Sequence, residues 1–338
     1  MINFQYARAS DVADAVRQIA ADPTAKFIAG GTNLIDLMKE EVERPLRLID
    51  ISRLPLNSVE ETAEGGLRIG ALVANSDLAY HPLVARRYPI LASAILAGAS
   101  AQLRNMASTG GNILQRTRCC YFYDTATPCN KREPGSGCSA IAGLNRMHAI
   151  LGTSEACIAT HPSDMCVALA ALGATVHVAG RAGTRAIAFG DFHRLPGDRP
   201  QRDTNLEPNE IVTAVELPAR GFAANYTYLK IRDRLSYAFA LVSVAAGLEL
   251  DGDRITEARL ALGGVAHKPW RDPSAEAVLR GQTVNPATFT RAADLLLGDA
   301  KGFEHNAFKI DLARRVVIRA LQQAAAGTPQ SQSNKKIR

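Results

Sequence analysis

All six cysteines of the chain lie in one 48-residue window, from Cys119 to Cys166, and the other 290 residues contain none. Thiols that only fill a hydrophobic core would be scattered along the chain. The first residues lack a basic segment followed by an apolar run, so we expect no secretory signal, and a disulfide framework is the weaker interpretation. The window therefore indicates a segment that is organised by a metal or a metal cluster.

The spacing of the cysteines leaves three kinds of site open. Structural zinc sites usually contain two cysteines separated by a few residues, and only the adjacent Cys119 and Cys120 are so close. The wider spacing of Cys129, Cys138 and Cys157 suits a loop around something larger than one ion. Four thiolates are the ligand set of an iron–sulfur cluster. From the residues alone the cluster is favoured over zinc, and disulfides or inert thiols are the third alternative.

The segment 108–157 differs in composition from its surroundings, since it is rich in Gly, Pro, Asn, Cys and Arg. Such a segment cannot order itself by burying apolar surface. We therefore predict a long loop whose structure depends on some other interaction. Before it, strands at 26–29 and 48–51 and a helix capped by Ser10 predict a small α/β layer. After it, Ser163 is predicted to cap a helix over 164–172.

A change of composition near residues 218–224 marks the expected domain boundary. Beyond it, three strand-like runs at 226–231, 239–250 and 254–262 are followed by segments with helical periodicity. We therefore predict an antiparallel three-stranded sheet backed by helices. With a mixed first part and this second part, the fold class is α+β.

Two short glycine motifs are candidate anion sites. Gly30 and Gly31 follow a predicted strand and precede a predicted helix, and Gly110 and Gly111 lie in the long loop segment. Glycine lets the backbone approach a phosphate closely, and neighbouring N–H groups bind anions. Neither motif matches the dinucleotide or P-loop patterns, and a Gly-Gly pair alone is more often a turn. The motifs suggest a phosphate site without naming its ligand.

Two polar residues have alternative interpretations. Lys230 lies in a predicted strand, where it either faces solvent or places a positive charge near an electron-rich cofactor. His161 stands next to the predicted helix N-terminus at Ser163, and a general base there is the weaker interpretation, because no nucleophile can be paired with it from the sequence.

The net charge of +6 and the pI of about 9.1 come mostly from scattered arginines. A solvated surface explains them, so we expect no nucleic-acid partner. No apolar stretch is long enough to predict a membrane span.

These features together resemble the FAD-binding medium subunits of the xanthine dehydrogenase and aldehyde oxidoreductase family of molybdenum hydroxylases. The similarity is greatest to the flavin subunit of bacterial periplasmic aldehyde oxidoreductase, which carries an extra [4Fe–4S] cluster. It covers nearly the whole chain and is most specific in six blocks, at 26–34, 67–72, 108–112, 115–138, 154–165 and 230–243.

The resemblance implies a particular form of the α+β fold. Residues 1–220 would form a two-lobed FAD-binding domain of the vanillyl-alcohol-oxidase (PCMH) type, with lobes of about 1–55 and 56–220 and a cluster-binding loop at 108–157. Residues 221–326 would form a C-terminal flavoprotein domain of the CO-dehydrogenase type, an antiparallel three-stranded sheet with helices. Residues 327–338 are expected to be a disordered tail.

The resemblance also implies the site residues. The FAD contacts would be Lys26, Phe27, Ile28, Ala29, Gly30, Gly31, Thr32, Asn33, Leu34, Ser108, Thr109, Gly111, Asn112, Asp164, Glu216 and Lys230. The ligands of one [4Fe–4S] cluster would be Cys119, Cys129, Cys138 and Cys157. Cys120 and Cys166 fall at positions where non-ligand residues are expected.

The implied function is electron transfer within an oxidoreductase complex. A large molybdenum-cofactor subunit and a small [2Fe–2S] subunit would complete a heterotrimer, and FAD would pass electrons on to an external acceptor. We expect the chain to be active only in that complex. It would be periplasmic, by co-export with a partner bearing a twin-arginine signal, or cytoplasmic. The alternatives are a metal-stapled subunit without redox chemistry and a stand-alone flavin reductase.

Overall fold

A computed structural model of the chain describes residues 1–332. The strands of the described residues are β1 (Gln5–Arg8), β2 (Ala25–Ile28), β3 (Arg47–Asp50), β4 (Val59–Glu61), β5 (Leu67–Gly70), β6 (Thr175–Gly180), β7 (Gly183–Ala188), β8 (Ile211–Leu217), β9 (Asn225–Ile231), β10 (Val242–Asp251) and β11 (Arg254–Gly263).

The helices of the same residues are α1 (Val12–Ala21), α2 (Leu34–Lys39), α3 (Asn75–Tyr80), α4 (Pro82–Arg87), α5 (Pro89–Ala97), α6 (Ala101–Met106), α7 (Thr109–Ile113), α8 (Cys120–Tyr123), α9 (Asp164–Leu172), α10 (Phe189–Phe192), α11 (Pro273–Ala277), α12 (Pro286–Leu296) and α13 (Phe308–Ala325).

The first layer is a parallel sheet in the order β1-β3-β2. Helix α1 connects β1 to β2 and buries Val16 and Ile19. The N-cap is Asp11, whose side chain accepts from the backbone N–H of Asp14, and not Ser10 as predicted. A carboxylate one residue later also serves as the cap and adds a favourable charge at this end of the helix.

The second layer is a five-stranded antiparallel sheet in the order β4-β5-β8-β6-β7. The β4–β5 pair is an antiparallel hairpin whose connection contains Gly65 and Gly66. Helices α5 and α9 pack together beside this sheet, and every residue of α9 is buried. The Ser163 hydroxyl caps α9 as predicted, by accepting from the N–H of Cys166 at 3.0 Å.

The C-terminal part is an antiparallel sheet in the order β11-β10-β9, covered by α12 and α13. Val316, Val317, Ala320 and Leu321 of α13 are buried against it, which is the face that helical periodicity predicts. The other face of the sheet meets α9, so this helix joins the two parts of the molecule. The mixed architecture with a C-terminal three-stranded antiparallel sheet confirms the predicted fold class.

The segment 108–157 contains only the short helices α7 and α8 and is otherwise irregular. Of the expected tail, Gln330 and Gln332 form hydrogen bonds along β9, to Thr227, Tyr228 and Lys230. Residues 333–338 lie outside the described residues.

Across residues 1–332, no helix combines the length and the apolar character that crossing a membrane requires.

Candidate cofactor sites

A cavity of about 720 Å³ opens beside the parallel sheet and brings the two glycine motifs together. All nine residues from Lys26 to Leu34 line it, and so do Ser108, Gly110 and Gly111 from the second motif. The cavity thus unites segments almost 80 residues apart in the sequence, which the glycine pattern alone did not establish.

The first motif needs glycine for two separate reasons. A Cβ at Gly30 would lie 1.7 Å from the carbonyl oxygen of Met106, so only glycine allows this close backbone approach. Gly31 has φ +72°, in the left-handed region that other residues rarely adopt. The loop therefore runs against the segment before the second motif and presents its backbone to the cavity.

The second motif is fixed by Ser108 and Thr109. The Ser108 hydroxyl accepts from the N–H of Gly111 at 3.2 Å, and Thr109 donates from Oγ1 to the carbonyl of Val73 at 3.0 Å. Thr109 is buried and lies outside the cavity lining, so its contact is with the protein. Asn112 lines a second cavity that shares Thr32, Asn33 and Gly111 with the first.

Asn33 has an unused donor at the junction of the two cavities. Its Oδ1 accepts from the backbone N–H of Arg116 at 2.9 Å, which fixes the orientation of the amide. Its buried Nδ2 has no hydrogen-bond partner within residues 1–332. A buried donor without a partner costs free energy, and a phosphate oxygen in the cavity would satisfy it. The residues of the first motif therefore fit a phosphate-containing cofactor.

An ionic network forms one wall of the large cavity. Arg116 pairs with Glu43 and with Asp203, whose Oδ2 lies 2.8 Å from Nε, and Asp203 also pairs with the buried ammonium of Lys131. Burial alone would raise the pKa of Asp203, but the charges of Lys131 and Arg116 outweigh it and hold that pKa well below its usual range. Sequence reasoning missed these residues, because nothing in the proline-rich loop around Asp203 signals pairing with a segment some 70 residues away.

The second cavity, of about 320 Å³, contains two of the predicted flavin contacts. Asp164 and Lys230 form a buried ion pair on its wall, with 2.8 Å between Oδ2 and Nζ. Asp164 also accepts from the Tyr228 hydroxyl at 2.6 Å, and Lys230 also donates to the carbonyl of Ala97 at 3.2 Å. Lys230 therefore does not face solvent, and the charge of its buried ammonium is balanced by Asp164.

Glu216 lies away from both cavities. It is on β8, where it contacts His177 at 2.9 Å and Arg68 at 3.5 Å, and it is absent from the walls of the two cavities. The wall of the large cavity instead contains Ile211 and Val212, which lie at the opposite end of β8. Of the predicted flavin contacts, Glu216 and Thr109 are the two that the structure does not bring to these cavities.

The four predicted cluster ligands do meet. Cys119, Cys129, Cys138 and Cys157 line one small cavity, and none of them is in a disulfide. Cys129 and Cys138 are opposite each other in an isolated antiparallel bridge, which explains how a nine-residue separation can bring both thiols to one centre. Four thiols that line one cavity are the ligand set of an iron–sulfur cluster. No three of these sulfur atoms lie within 4.8 Å of one another, so they do not fit a single zinc ion as they stand.

The protein alone does not favour thiolates in this cavity. Burial raises the pKa of Cys119 to about 12 and that of Cys157 to about 11, although the nearby Lys131 lowers the latter in part. Without a bound cation, these two sulfurs are therefore expected to carry their protons. The Cys119 sulfur also lies 3.1 Å from Nε2 of His148, whose pKa burial lowers to about 4.

The other two cysteines lie outside this cavity. Cys120 is exposed, and Cys166 is fully buried in α9. The Cys166 sulfur has His161 and His193 nearby, with the possible ligand atoms all within 4.8 Å. However, Nδ1 of His161 accepts a hydrogen bond from the N–H of Ser163 at 3.3 Å. In the neutral ring the proton is then on Nε2, so Nε2 has no free lone pair for a metal ion. This cluster is therefore a poor metal site.

Two family models together match almost the whole chain. Residues 2–220 match the FAD binding domain in molybdopterin dehydrogenase, and residues 226–324 match the CO dehydrogenase flavoprotein C-terminal domain.

Individual relatives agree with these matches. The chain is 52% identical over 326 residues to the aldehyde oxidoreductase FAD-binding subunit PaoB of Escherichia coli strain K12, covering 96% of this chain and 98% of that protein. It is 29% identical over 283 residues to the glyceraldehyde dehydrogenase medium chain of Sulfolobus acidocaldarius, covering 83% of each. A solved structure of carbon monoxide dehydrogenase from Hydrogenophaga pseudoflava superposes with a TM-score of 0.75 at 27% identity, over 97% of this chain and 99% of that chain.

A two-part fold with paired glycine loops around a large cavity defines an FAD-binding subunit of an oxidoreductase. More particularly, the chain belongs to the FAD-binding medium subunits of the molybdenum hydroxylase family, and the resemblance seen in its sequence is confirmed.

Proposed function

We propose that this chain is the electron-transfer flavin and iron–sulfur subunit of an aldehyde-oxidising molybdenum hydroxylase. Its 52% identity to a protein named as an aldehyde oxidoreductase FAD-binding subunit, over nearly the full length of both, supports this assignment. The observation that carries it is the large cavity, which is lined by both glycine motifs and by Asn33, whose Nδ2 has no hydrogen-bond partner within residues 1–332.

The FAD diphosphate would lie between the two motifs. The segment from Lys26 to Leu34 would contact it with backbone groups, while Nδ2 of Asn33 would donate to a phosphate oxygen. The ring system would extend into the second cavity, toward Asn112, Asp164 and Lys230. Bound FAD supplies the electron exchange, and the protein's part is to hold and orient it. Because Lys230 is paired with Asp164, this pair would present a dipole to the ring rather than a bare charge.

Cys119, Cys129, Cys138 and Cys157 would hold one [4Fe–4S] cluster. The convergence of their thiols on one cavity supports this ligand set. The expectation that the segment 108–157 buries little apolar surface is only partly right, because Ile150 and Leu151 are buried in the C-terminal core. The cluster would add four metal–thiolate bonds to these contacts and so help to order the rest of the segment. Cavities with shared wall residues run from the cysteines through Thr117 and Ser163 to the flavin region, so the two cofactors would be neighbours.

Substrate oxidation would take place on partner chains. All cysteines of this chain lie in the window from Cys119 to Cys166, which leaves no second set for [2Fe–2S] centres beside the cluster. We therefore propose a heterotrimer with a molybdenum-cofactor large subunit and a [2Fe–2S] small subunit, and an external electron acceptor. The proposed domains are residues 1–220 and 221–326. The complex would act in the periplasm, after co-export with a partner, or in the cytoplasm.

Co-expression with the two partner genes tests the proposal. The purified complex should contain one FAD, and its aldehyde oxidation should require all three chains. The chain purified alone should not oxidise aldehydes, yet after chemical reduction it should be reoxidised by an artificial acceptor. Aldehyde oxidation by the single chain would overturn the proposed division of labour. A colourless chain with bound zinc would instead support a structural subunit without redox chemistry.

A further inference from the structure

The His148 ring lies in hydrogen-bond reach of the sulfur of a proposed cluster ligand. Its Nε2 lies 3.1 Å from Sγ of Cys119, within hydrogen-bond distance for sulfur. The ring is only 4% exposed and lies beside the ring of Tyr121, with centroids 6.3 Å apart. Within residues 1–332, the Cys119 sulfur is the one hydrogen-bond partner of Nε2, and it belongs to a candidate ligand.

The position of His148 is fixed from the C-terminal part of the chain. Its carbonyl oxygen accepts from Nζ of Lys309 at 2.9 Å and from Nδ2 of Asn306 at 3.2 Å. Lys309 and Asn306 are both fully inaccessible to solvent. Lys309 has no carboxylate partner among the described residues and donates only to the carbonyls of His148 and Gly264. A buried ammonium is costly, so its use here to hold only two backbone carbonyls, one of them that of His148, calls for an explanation.

A second pair of contacts holds the same turn from the other side. The N–H of His148 donates to the carbonyl of Asn145 at 2.9 Å. The side chain of Asn145 is fully buried and accepts from the backbone N–H of His305 at 2.9 Å. The turn that carries His148 is thus held at both ends by residues next to or within α13.

We propose that His148 is a positioning residue that donates a hydrogen bond from Nε2–H to the Cys119 sulfur when this sulfur is a cluster ligand, and that Lys309 and Asn306 keep it there. The inference rests on the proposed cluster. A metal-bound thiolate has no proton, so the contact is attractive only with the ring proton on Nε2. Nδ1 of His148, which has no partner in residues 1–332, is then the unprotonated nitrogen.

Such a bond changes the redox behaviour of the centre. Hydrogen bonds to the sulfurs are among the factors that set the potential of an iron–sulfur cluster. Reduction adds negative charge that is partly carried by the sulfurs, and a donor stabilises the more negative state. His148 therefore raises the reduction potential of the cluster and makes it a better acceptor of electrons.

The test compares His148→Phe and His148→Gln in the purified three-chain complex. Phenylalanine keeps an aromatic ring at this position but removes the Nε2–H donor. Glutamine has an amide N–H that can lie near the position of Nε2. His305→Phe is the matched control, because it makes the same change on a half-exposed side chain whose backbone, and not its ring, contacts the turn. For each variant we would measure iron per chain, and then the potential by a titration followed with electron paramagnetic resonance.

We expect equal iron in all variants, a lower potential for His148→Phe, and a potential near that of wild type for His148→Gln and His305→Phe. Lys309→Met should shift the potential in the same direction by a smaller amount. Equal potentials in wild type and His148→Phe, at equal iron, would overturn the role of His148 and leave the cluster proposal standing. A wild-type complex with no iron beyond that of its [2Fe–2S] subunit would overturn both the role of His148 and the cluster proposal.

If His148→Phe fails to retain iron, a second measurement tests whether His148 forms a hydrogen bond to the Cys119 sulfur. Protein labelled with ¹⁵N-histidine should show a nitrogen coupling to the reduced, paramagnetic cluster in pulsed resonance spectra, and His148→Gln should lack it. Wild-type protein with a cluster but without this coupling would contradict the hydrogen bond.

Discussion

Asp203 joins Arg116 on the wall of the large cavity to Lys131 on the wall of the cysteine cavity. Its Oδ2 lies 2.8 Å from Nε of Arg116, and its Oδ1 pairs with Nζ of Lys131, whose side chain is 1% exposed. One carboxylate thus fixes side chains at both proposed cofactor sites. Removal of this carboxylate would leave Lys131 with only the carbonyl of Pro200 as a partner.

We expect Asp203→Asn to lower the free energy of unfolding by about 3 kcal/mol, because it leaves a buried cation uncompensated. The pKa of Asp203 in the folded protein lies well below its ordinary value of 3.8, so its contribution is fully present above that value and is lost as the pH falls below it. Urea unfolding at pH 7 and at pH 3 should therefore show a smaller difference between wild type and variant at the lower pH. A difference that grows toward acid would contradict the ion network.

Asn33→Asp tests the unused donor in the cavity. The substitution keeps Oδ1 and its bond from the N–H of Arg116, but it replaces Nδ2 with an acceptor oxygen. A hydrogen bond to a charged group contributes about 1.5–3 kcal/mol, so we expect FAD affinity to fall by at least about tenfold. Asn57→Asp is the control, because it adds the same negative charge at an exposed position. Equal FAD affinity in both variants, measured by fluorescence titration of the apoprotein, would place the phosphates elsewhere.

Gly31→Val tests the first glycine motif. Valine at φ +72° is strained, and its side chain would crowd Ile35 beside the cavity-lining loop, so we expect protein with little FAD. Gly65→Val is a matched control, because Gly65 has φ +77° and lies in the β4–β5 hairpin away from the cavity. Both variants should lose similar stability, and only the first should lose FAD. Full FAD occupancy in Gly31→Val would refute the assigned motif.

Lys230→Met tests whether the pair with Asp164 behaves as one buried unit. The side chains are 2% and 8% exposed, so removal of the cation alone leaves a buried carboxylate and should cost about 3 kcal/mol. The double variant Lys230→Met with Asp164→Asn should be less destabilised than Lys230→Met alone, since the uncompensated charge is gone. Strictly additive effects in urea unfolding would show that the two residues are not coupled.

Local patterns in the sequence predicted most of the helices and strands. Contacts between residues far apart in the sequence could not be predicted in this way. The helix capped by Ser163 begins and ends where the sequence predicts it, because a cap and an apolar run are local signals. The strands of the C-terminal sheet were also recognisable from their own residues. By contrast, Lys131 and Asp203 meet only because the segment 108–157 folds back, and no local signal encodes that contact.

The site residues divide in the same way. The glycine loops and the cysteines follow from short motifs and a resemblance, and the structure groups them around shared cavities. The partners that orient them, such as Arg116 for Asn33 and His148 for Cys119, lie 83 and 29 residues away in sequence. Glu216 was selected by resemblance alone, and nothing in its strand indicated which end of β8 faces the cavity.

The last prediction concerns the cysteine cavity. Replacement of Cys119, Cys129, Cys138 or Cys157 by Ser should lose iron and sulfide, because a serine oxygen is a poor substitute for a thiolate ligand. Each variant should also unfold more easily, since the proposed metal–thiolate bonds would help to order the segment 108–157. Cys120→Ser is the matched control next to a proposed ligand, and Cys166→Ala is the control for a buried thiol outside the cavity. Both controls should keep their iron. Unchanged iron and sulfide in Cys129→Ser or Cys138→Ser would show that the four thiols do not form one cluster site, because these two face each other across the bridge that closes the cavity.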